Sequence, residues 1–209
     1  MKHLTNQYLK QIYEAKDALV KGGVIAIPTE TVYGLAILYN NIDAYNKLNK
    51  IKRRPEDKPY TMMVKSVEDI EKYAYVNEDI LRIAKAFLPG SLTLLLKAKE
   101  DVPTHVTHGS GIIGIRIPDQ RVTLGLLEIV DIPLLVPSAN RSGEYPCRDS
   151  NEVALTFPNE LDYIITGASK LGQASTIVDL SGDDIKIIRE GPITYKDITN
   201  AYYDRRRKI

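Results

Sequence analysis

The sequence predicts an α/β domain built on a mixed sheet. Its 209 residues are 44% hydrophobic, which supplies enough apolar surface for a sizeable core and argues against disorder. Segments with apolar residues at helical spacing alternate along the chain with short apolar runs of strand length. There is no internal repeat, low-complexity tract or linker, so we expect one domain over residues 1–209.

The chain opens with a predicted helix followed by a buried strand. Apolar side chains recur at helical spacing over residues 8–19, and two glycines then separate this helix from a strand over Val24–Ile27. Asn41 is placed to cap a second helix, which should run to about residue 50. Residues 60–64 are predicted to be extended.

The middle of the chain continues the alternation. Residues 66–69 are typical of a capping box and predict a short helix, and a further helix over residues 80–87 should end at the following proline and glycine. Three apolar runs of strand length follow, at residues 92–96, 112–117 and 132–136.

The last third predicts a helix and then an antiparallel hairpin. Residues 149–152 are a second capping-box candidate, and residues 163–165 are the strand after its helix. Two strands, at residues 176–180 and 185–189, flank a polar turn at residues 181–184. Because a hairpin is antiparallel, the sheet should be mixed.

Composition restricts the function classes. With 28 basic and 27 acidic residues the formal charge is +1, so any affinity for nucleic acid must come from local clustering. The single cysteine, Cys147, cannot form an internal disulfide. The N-terminus lacks the apolar region of a signal peptide, and no run approaches the ~18 apolar residues of a membrane span. We expect a soluble cytoplasmic protein.

Three short segments carry the functional signal. They are residues 28–34 (Pro-Thr-Glu-Thr-Val-Tyr-Gly), residues 50–55 (Lys-Ile-Lys-Arg-Arg-Pro) and residues 137–140 (Pro-Ser-Ala-Asn). Each follows a predicted strand or helix, where side chains can face a ligand. The basic run has two interpretations: a solvated helix end, where cations also meet the helix dipole favourably, or a phosphate site.

Other site types fit poorly. Residues 167–172 have the glycine spacing of a P-loop but lack the lysine and hydroxyl residue that must follow. His105 and His108 have no third metal ligand near them in sequence, so we predict no resident metal site. Cys147 has no neighbouring histidine, and no Gly-x-Ser-x-Gly elbow occurs, so covalent catalysis is not predicted.

Taken in order, the motifs resemble those of the YrdC-like threonylcarbamoyl-AMP synthase family. The similar segments span about residues 10–195 and are residues 28–34, 52–55, 87–93, 115–118, 137–143, 174–180 and 188–191. Seven ordered motifs favour the phosphate-binding interpretation of the basic run. The resemblance implies a single α/β domain whose twisted mixed sheet and flanking helices surround a basic concave cleft.

The resemblance also implies a reaction. L-threonine, bicarbonate and ATP would give L-threonylcarbamoyladenylate and pyrophosphate, with Mg²⁺ carried largely by the nucleotide. The product would pass to a downstream tRNA threonylcarbamoyltransferase. Such an enzyme has to align two anions against their repulsion, so positioning and positive charge should dominate catalysis.

The resemblance assigns roles to individual residues. Lys52 and Arg54 would be the catalytic cations. The residues placed at the L-threonine subsite are Thr31, Met63, Arg116 and Ser175. The residues placed at the ATP subsite are Arg54, Lys58, Ser138, Asn140 and Arg189. Two positions depart from the family pattern, because relatives often carry histidine at position 63 and asparagine at position 58.

Two alternatives remain open. One is a noncatalytic member of the same fold that binds double-stranded RNA or tRNA, for which the basic residues 205–208 offer an electrostatic contact. In the synthase itself, we expect tRNA binding through these residues to be weak. The other alternative is the carbamoyl-adenylate module of hydrogenase maturation, which is disfavoured because that module accompanies cysteine-rich zinc segments in much longer chains.

Overall fold

A mixed β-sheet lies at the centre of the computed structural model, which describes residues 5–53 and 59–203. Within these residues the sheet has nine strands. They are β1 (Ile25–Ile27), β2 (Gly34–Leu38), β3 (Thr61–Met63), β4 (Leu92–Lys97), β5 (Ile112–Arg116), β6 (Leu134–Leu135), β7 (Tyr163–Ile164), β8 (Thr176–Asp179) and β9 (Lys186–Arg189).

The strand order is β7-β1-β2-β6-β3-β5-β4-β8-β9. Three neighbouring pairs are parallel, namely β1 with β7, β3 with β5 and β4 with β8. The other neighbours are antiparallel, including the predicted hairpin of β8 and β9. The predicted mixed sheet is therefore confirmed.

Helices flank the sheet. They are α1 (Asn6–Val20), α2 (Ile42–Lys52), α3 (Val67–Tyr73), α4 (Glu78–Phe87), α5 (Thr104–Thr107), α6 (Arg121–Val130), α7 (Ser150–Thr156) and α8 (Tyr195–Tyr203). Over the described ranges, no helix combines the length and the apolar character that crossing a bilayer requires.

Local capping explains where two of the predicted helices begin. The Asn41 side chain accepts a hydrogen bond from the backbone N–H of Ala44 at 2.9 Å, and Asp149 accepts from two N–H groups of the first turn of α7. The capping box predicted at Ser66 is wrong, because this side chain makes no cap hydrogen bond. Helix α3 still begins there, with Glu68 and Asp69 in its first turn, where acidic side chains meet the helix dipole favourably.

Four elements were not predicted: β2, α5, α6 and α8. Helix α6 has weak helical propensity because it contains Gly125 and β-branched residues. It forms because its buried face packs against α1, with Leu126 in the same cluster as Ile12 and Leu19. Tertiary packing thus overrides local propensity here.

The apolar core has two parts, one on each face of the sheet. Met62 belongs to the larger cluster and Met63 to the smaller one, because successive side chains of a strand point to opposite faces. The smaller cluster also contains residues of α1 and α6, together with Val136. Met63 and Val136 also line the candidate site described next.

Candidate functional site

Six of the predicted site residues line one cavity. Its volume is about 170 Å³. The six are Thr31, Met63, Arg116, Ser138, Ser175 and Arg189. They come from loops and strand ends that are far apart in the sequence, so the sheet is what brings them together.

Strand register explains three of these placements. Met63 and Arg116 are paired residues at the ends of the parallel strands β3 and β5. Arg189 is paired with Ile177 across β8 and β9. Each of these four residues lines the cavity. The two guanidinium-bearing strands therefore approach the cavity from different parts of the sheet.

The loop bearing Ser138 lies against the start of β2. Gly34 forms an isolated antiparallel bridge with Ser138, and the Ala139 N–H donates to the Tyr33 carbonyl at 2.7 Å. A Cβ on Gly34 would lie 2.4 Å from a methyl carbon of Val136. Glycine is therefore required for this close approach, which places residues 31–34 beside Ser138.

Arg116 is a buried cation with a buried acidic partner. Its Nη2 lies 2.5 Å from the Glu30 carboxylate, and the two side chains are 6% and 7% exposed. The same Nη2 donates to the Thr31 hydroxyl at 2.9 Å, and Nε donates to the Gly90 carbonyl at 3.1 Å. Three acceptors thus fix the plane of this guanidinium.

The donor and acceptor roles of the Thr31 hydroxyl follow from its neighbours. Thr29 donates its single hydroxyl proton to the Val32 carbonyl at 2.6 Å, so in the 2.8 Å contact between the two threonines Thr31 must be the donor. Thr31 also accepts from Arg116. A hydroxyl oxygen has two lone pairs, so Thr31 can accept one further hydrogen bond, for example from an amine.

Ser175 and Arg189 form the opposite part of the cavity. Arg189 donates from Nε to the Ser175 carbonyl at 3.0 Å and from Nη2 to the Ser175 hydroxyl at 3.3 Å, while that hydroxyl is 2.9 Å from the Thr93 hydroxyl. Partial burial, and then the positive charge of Arg116, lower the pKa of the Arg189 guanidinium. Two cations that repel each other across a cavity favour an anionic ligand.

Lys52 and Asn140 do not line this cavity. Lys52 is 1% exposed, and its Nζ donates to the carbonyl oxygens of Ser138 at 2.5 Å and Asn140 at 2.8 Å. The Asn140 Oδ1 accepts from the Ser138 hydroxyl at 2.6 Å. These two residues therefore support the turn that carries Ser138, and Lys52 is not on a solvated helix face. The predicted residues Arg54 and Lys58 lie outside the described residues.

Glu30 and Thr93 are the side chains that sequence reasoning missed. Glu30 is 6% exposed. It lies in the motif at residues 28–34, and its position next to the assigned Thr31 was the sequence signal that could have identified it. Thr93 is inside the similar segment at residues 87–93 and contacts Ser175. Thr93 lies in an apolar strand, so nothing in the sequence indicated that it belongs to the site. The pairing of β4 with β8 is what brings it there.

The other candidate groups have structural partners. Over residues 5–53 and 59–203, no three histidine, cysteine, aspartate or glutamate side chains are grouped as metal ligands. His108 Nε2 is 2.7 Å from the Tyr45 hydroxyl, and His105 Nε2 is 2.8 Å from the Tyr39 carbonyl. Burial raises the pKa of the Cys147 thiol, which disfavours the nucleophilic thiolate.

Comparison with known proteins identifies similar chains. The Sua5/YciO/YrdC family model, described as "Telomere recombination", matches residues 17–191. A protein of Methanocaldococcus jannaschii named putative threonylcarbamoyl-AMP synthase is 36% identical over 200 residues, which are 95% of this chain and 94% of that protein.

Two solved structures share the fold and more than a quarter of the sequence. The structure of Pyrococcus abyssi Sua5 complexed with L-threonine matches 95% of this chain with a TM-score of 0.90 and 31% identity. The structure of Escherichia coli YciO matches 93% with a TM-score of 0.85 and 28% identity. This chain spans 58% of the P. abyssi chain and 95% of the YciO chain.

Proposed function

This chain belongs to the Sua5/YciO/YrdC family, and on that basis we propose that it is an L-threonylcarbamoyladenylate synthase. The proposed reaction joins L-threonine, bicarbonate and ATP to give L-threonylcarbamoyladenylate, pyrophosphate and water. One observation carries the proposal: two guanidinium groups and three hydroxyl groups, from Thr31, Ser138 and Ser175, converge on one cavity. That set can hold a carboxylate, a phosphate and an amine together.

The amino-acid subsite lies between Arg116 and Ser175. The carboxylate of L-threonine is drawn to the two guanidinium groups, and its amine donates to the lone pair that remains on Thr31. Met63, which lines the same cavity, contacts the methyl group of the substrate. The P. abyssi Sua5 structure, which is a complex with L-threonine, supports an amino-acid subsite in this fold.

The nucleotide subsite lies toward the turn of residues 137–140. Ser138 presents its hydroxyl to the cavity, and Arg189 supplies positive charge to the same cavity. Asn140 and Lys52 do not line the cavity and stabilise this turn through hydrogen bonds. Arg54 and Lys58, which the family resemblance assigns to this subsite, would contact the phosphates.

The reaction requires alignment more than covalent catalysis. The deprotonated amine attacks the bicarbonate carbon and water leaves, and an oxygen of the resulting carbamate then attacks the α-phosphorus and displaces pyrophosphate. The cations screen the repulsion between carbamate and triphosphate, and the cavity holds the two in contact. Mg²⁺ would be held by the phosphates, since no cluster of acidic ligands occurs among the described residues.

Pyrophosphate release tests the proposal. The complete mixture contains purified protein, ATP, Mg²⁺, L-threonine and bicarbonate. A second reaction lacks L-threonine. A third lacks bicarbonate and uses buffer freed of carbon dioxide. We expect release to depend on both, and mass spectrometry to show the adenylate only in the complete mixture. Release that is unchanged without L-threonine would exclude the synthase.

A further inference from the structure

Glu30 directs both of its carboxylate oxygens at groups of the protein itself. Its Oε1 accepts from Arg116 Nη2 at 2.5 Å and from the Ser91 hydroxyl at 3.3 Å, and its Oε2 accepts from the Asp119 N–H at 3.1 Å. The residue is 6% exposed and does not line the cavity that Arg116 lines. Any effect on a ligand in that cavity must therefore pass through a neighbour.

That neighbour is Arg116. Glu30 and Gly90 hold Nη2 and Nε, and a guanidinium is planar, so these bonds set the direction of the third nitrogen, Nη1. Over the described part of the chain, no acceptor is found for Nη1, and Arg116 lines the cavity. Nη1 is thus the guanidinium nitrogen that remains to donate to a ligand.

Glu30 also sets the charge of the cavity. Of the described residues that line it, the charged ones are Arg116 and Arg189. The Glu30 carboxylate compensates the charge of Arg116 from behind, so Arg189 is left as the one uncompensated cation among these residues. Without Glu30, both cations would be uncompensated and would repel each other more strongly across the cavity.

We propose that Glu30 is a positioning residue for the amino-acid substrate, which orients Arg116 and leaves the cavity with one uncompensated cation. This inference rests on the proposed function, because it names the carboxylate that Arg116 receives. The competing explanation is that the ion pair only stabilises the loop between β1 and β2. The two explanations differ in which measurement a Glu30 variant changes.

Glu30→Gln is the direct test. Every partner of the Glu30 carboxylate is a donor, so the amide NH₂ must face either Arg116 or the Asp119 N–H whichever way it turns. In the first orientation two donors meet and Arg116 is displaced, and in the second Arg116 keeps a neutral acceptor but loses its anionic partner. We expect the Kd for L-threonine, measured by calorimetry, to rise about 10- to 100-fold while the Kd for ATP changes by less than about threefold.

Asp79→Asn is the control for loss of an ion pair away from the cavity. Asp79 pairs with Arg82 at 2.5 Å on α4, but its side chain is 43% exposed, whereas that of Glu30 is 7% exposed. This variant should leave the Kd for L-threonine at the wild-type value and change the thermal midpoint little. A Glu30→Gln variant that likewise leaves this Kd unchanged overturns the inference.

The double variant shows whether Glu30 acts through Arg116. In an Arg116→Ala background, adding Glu30→Gln should not weaken L-threonine binding further, and it should raise the thermal midpoint because an unpaired buried carboxylate is removed. A further loss of binding in the double variant would show that Glu30 acts by another route and would overturn the inference.

Two outcomes separate the inference from the proposed function. Wild-type protein that does not bind L-threonine overturns both. Wild-type binding together with unchanged binding in Glu30→Gln overturns only the inference. If Glu30→Gln does not fold, Glu30→Asp replaces it: the charge is kept but the side chain is one methylene shorter, and we expect a smaller rise in the same Kd. An unchanged Kd in Glu30→Asp then overturns the inference.

Discussion

The ammonium group of Lys52 lies 2.5 Å from the carbonyl oxygen of Ser138, so a buried cation on α2 holds the turn that presents the Ser138 hydroxyl to the cavity. The family resemblance assigned Lys52 as a catalytic cation. In the structure its side chain, 1% exposed to solvent, stabilises the turn that carries Ser138.

Lys52→Met should therefore affect both stability and turnover. The carbonyl groups of Ser138 and Asn140 would lose a charged donor, which costs about 1–3 kcal/mol of unfolding free energy for a buried group left without its partner. Urea unfolding and pyrophosphate release measure the two effects. Lys50→Met, which removes an exposed lysine from the same helix, is the control and should change neither. Wild-type stability in Lys52→Met would contradict this assignment.

Arg54→Ala should lower turnover without unfolding the protein. Arg54 lies outside the described residues, and its role is predicted from the family resemblance. Loss of one cation from the phosphate subsite should slow the reaction at least ~100-fold, equivalent to ~2.7 kcal/mol of transition-state stabilisation. Steady-state turnover is the measurement, with circular dichroism to verify folding. Arg53→Gln removes the neighbouring exposed cation and should retain activity. Normal turnover in Arg54→Ala would contradict the assignment of Arg54 to the phosphate subsite.

Met63 should determine selectivity for the methyl group of threonine. Met63 is 2% exposed and lines the cavity. Contact with one methyl group in an apolar pocket contributes only about 1–3 kcal/mol to the discrimination between two substrates. Met63→Ala should erode the preference for threonine over serine. Met63→His should remain active and change the KM for threonine more than that for ATP. Separate titrations of threonine, serine and ATP measure these constants.

Met62→Ala is the matched control for Met63. The two methionines are adjacent on β3, but Met62 packs into the cluster on the other face of the sheet. Its truncation should lower stability by about 2–5 kcal/mol and leave the threonine preference unchanged. If the Met63 variants alter only the ATP constant, the threonine subsite does not include Met63.

Binding to tRNA separates a synthase from a noncatalytic RNA-binding protein. The chain has a formal charge of +1, so binding should be weak and should decrease steeply with salt, because it depends on phosphate neutralisation. Deleting residues 205–209, which lie outside the described residues, should weaken it and leave adenylate synthesis intact. Filter binding across a salt series measures this. Tight, salt-resistant binding would favour the RNA-binding alternative.

Acid should weaken one ion pair beside the Ser138 turn. The Arg141 hydrogen bond lowers the pKa of the Glu160 carboxylate. A carboxylate with a lowered folded-state pKa stabilises the protein above its unfolded pKa, and that stability is lost as pH falls through the folded value. The difference in unfolding free energy between wild type and Glu160→Gln should therefore shrink between about pH 6 and about pH 3. A difference that grows on acidification would contradict the assignment.

The fold class, most strands, two helix caps and most of the candidate site could be predicted from the sequence alone. These features depend on local signals: apolar runs, turn residues, and side chains such as Asn41 and Asp149 that bond to backbone groups within a few positions. The six cavity-lining residues were also identified, because the ordered motifs resemble those of a known family.

How these residues work together depends on the tertiary structure. Glu30 and Arg116 are 86 positions apart, and Lys52 and Ser138 are also 86 apart, so no local pattern indicates either contact. Helix α6 likewise forms because α1 covers its apolar face. The physical reason is the same in each case: burial and strand register are properties of the whole sheet, and they determine which charges face a ligand and which hold the site in place.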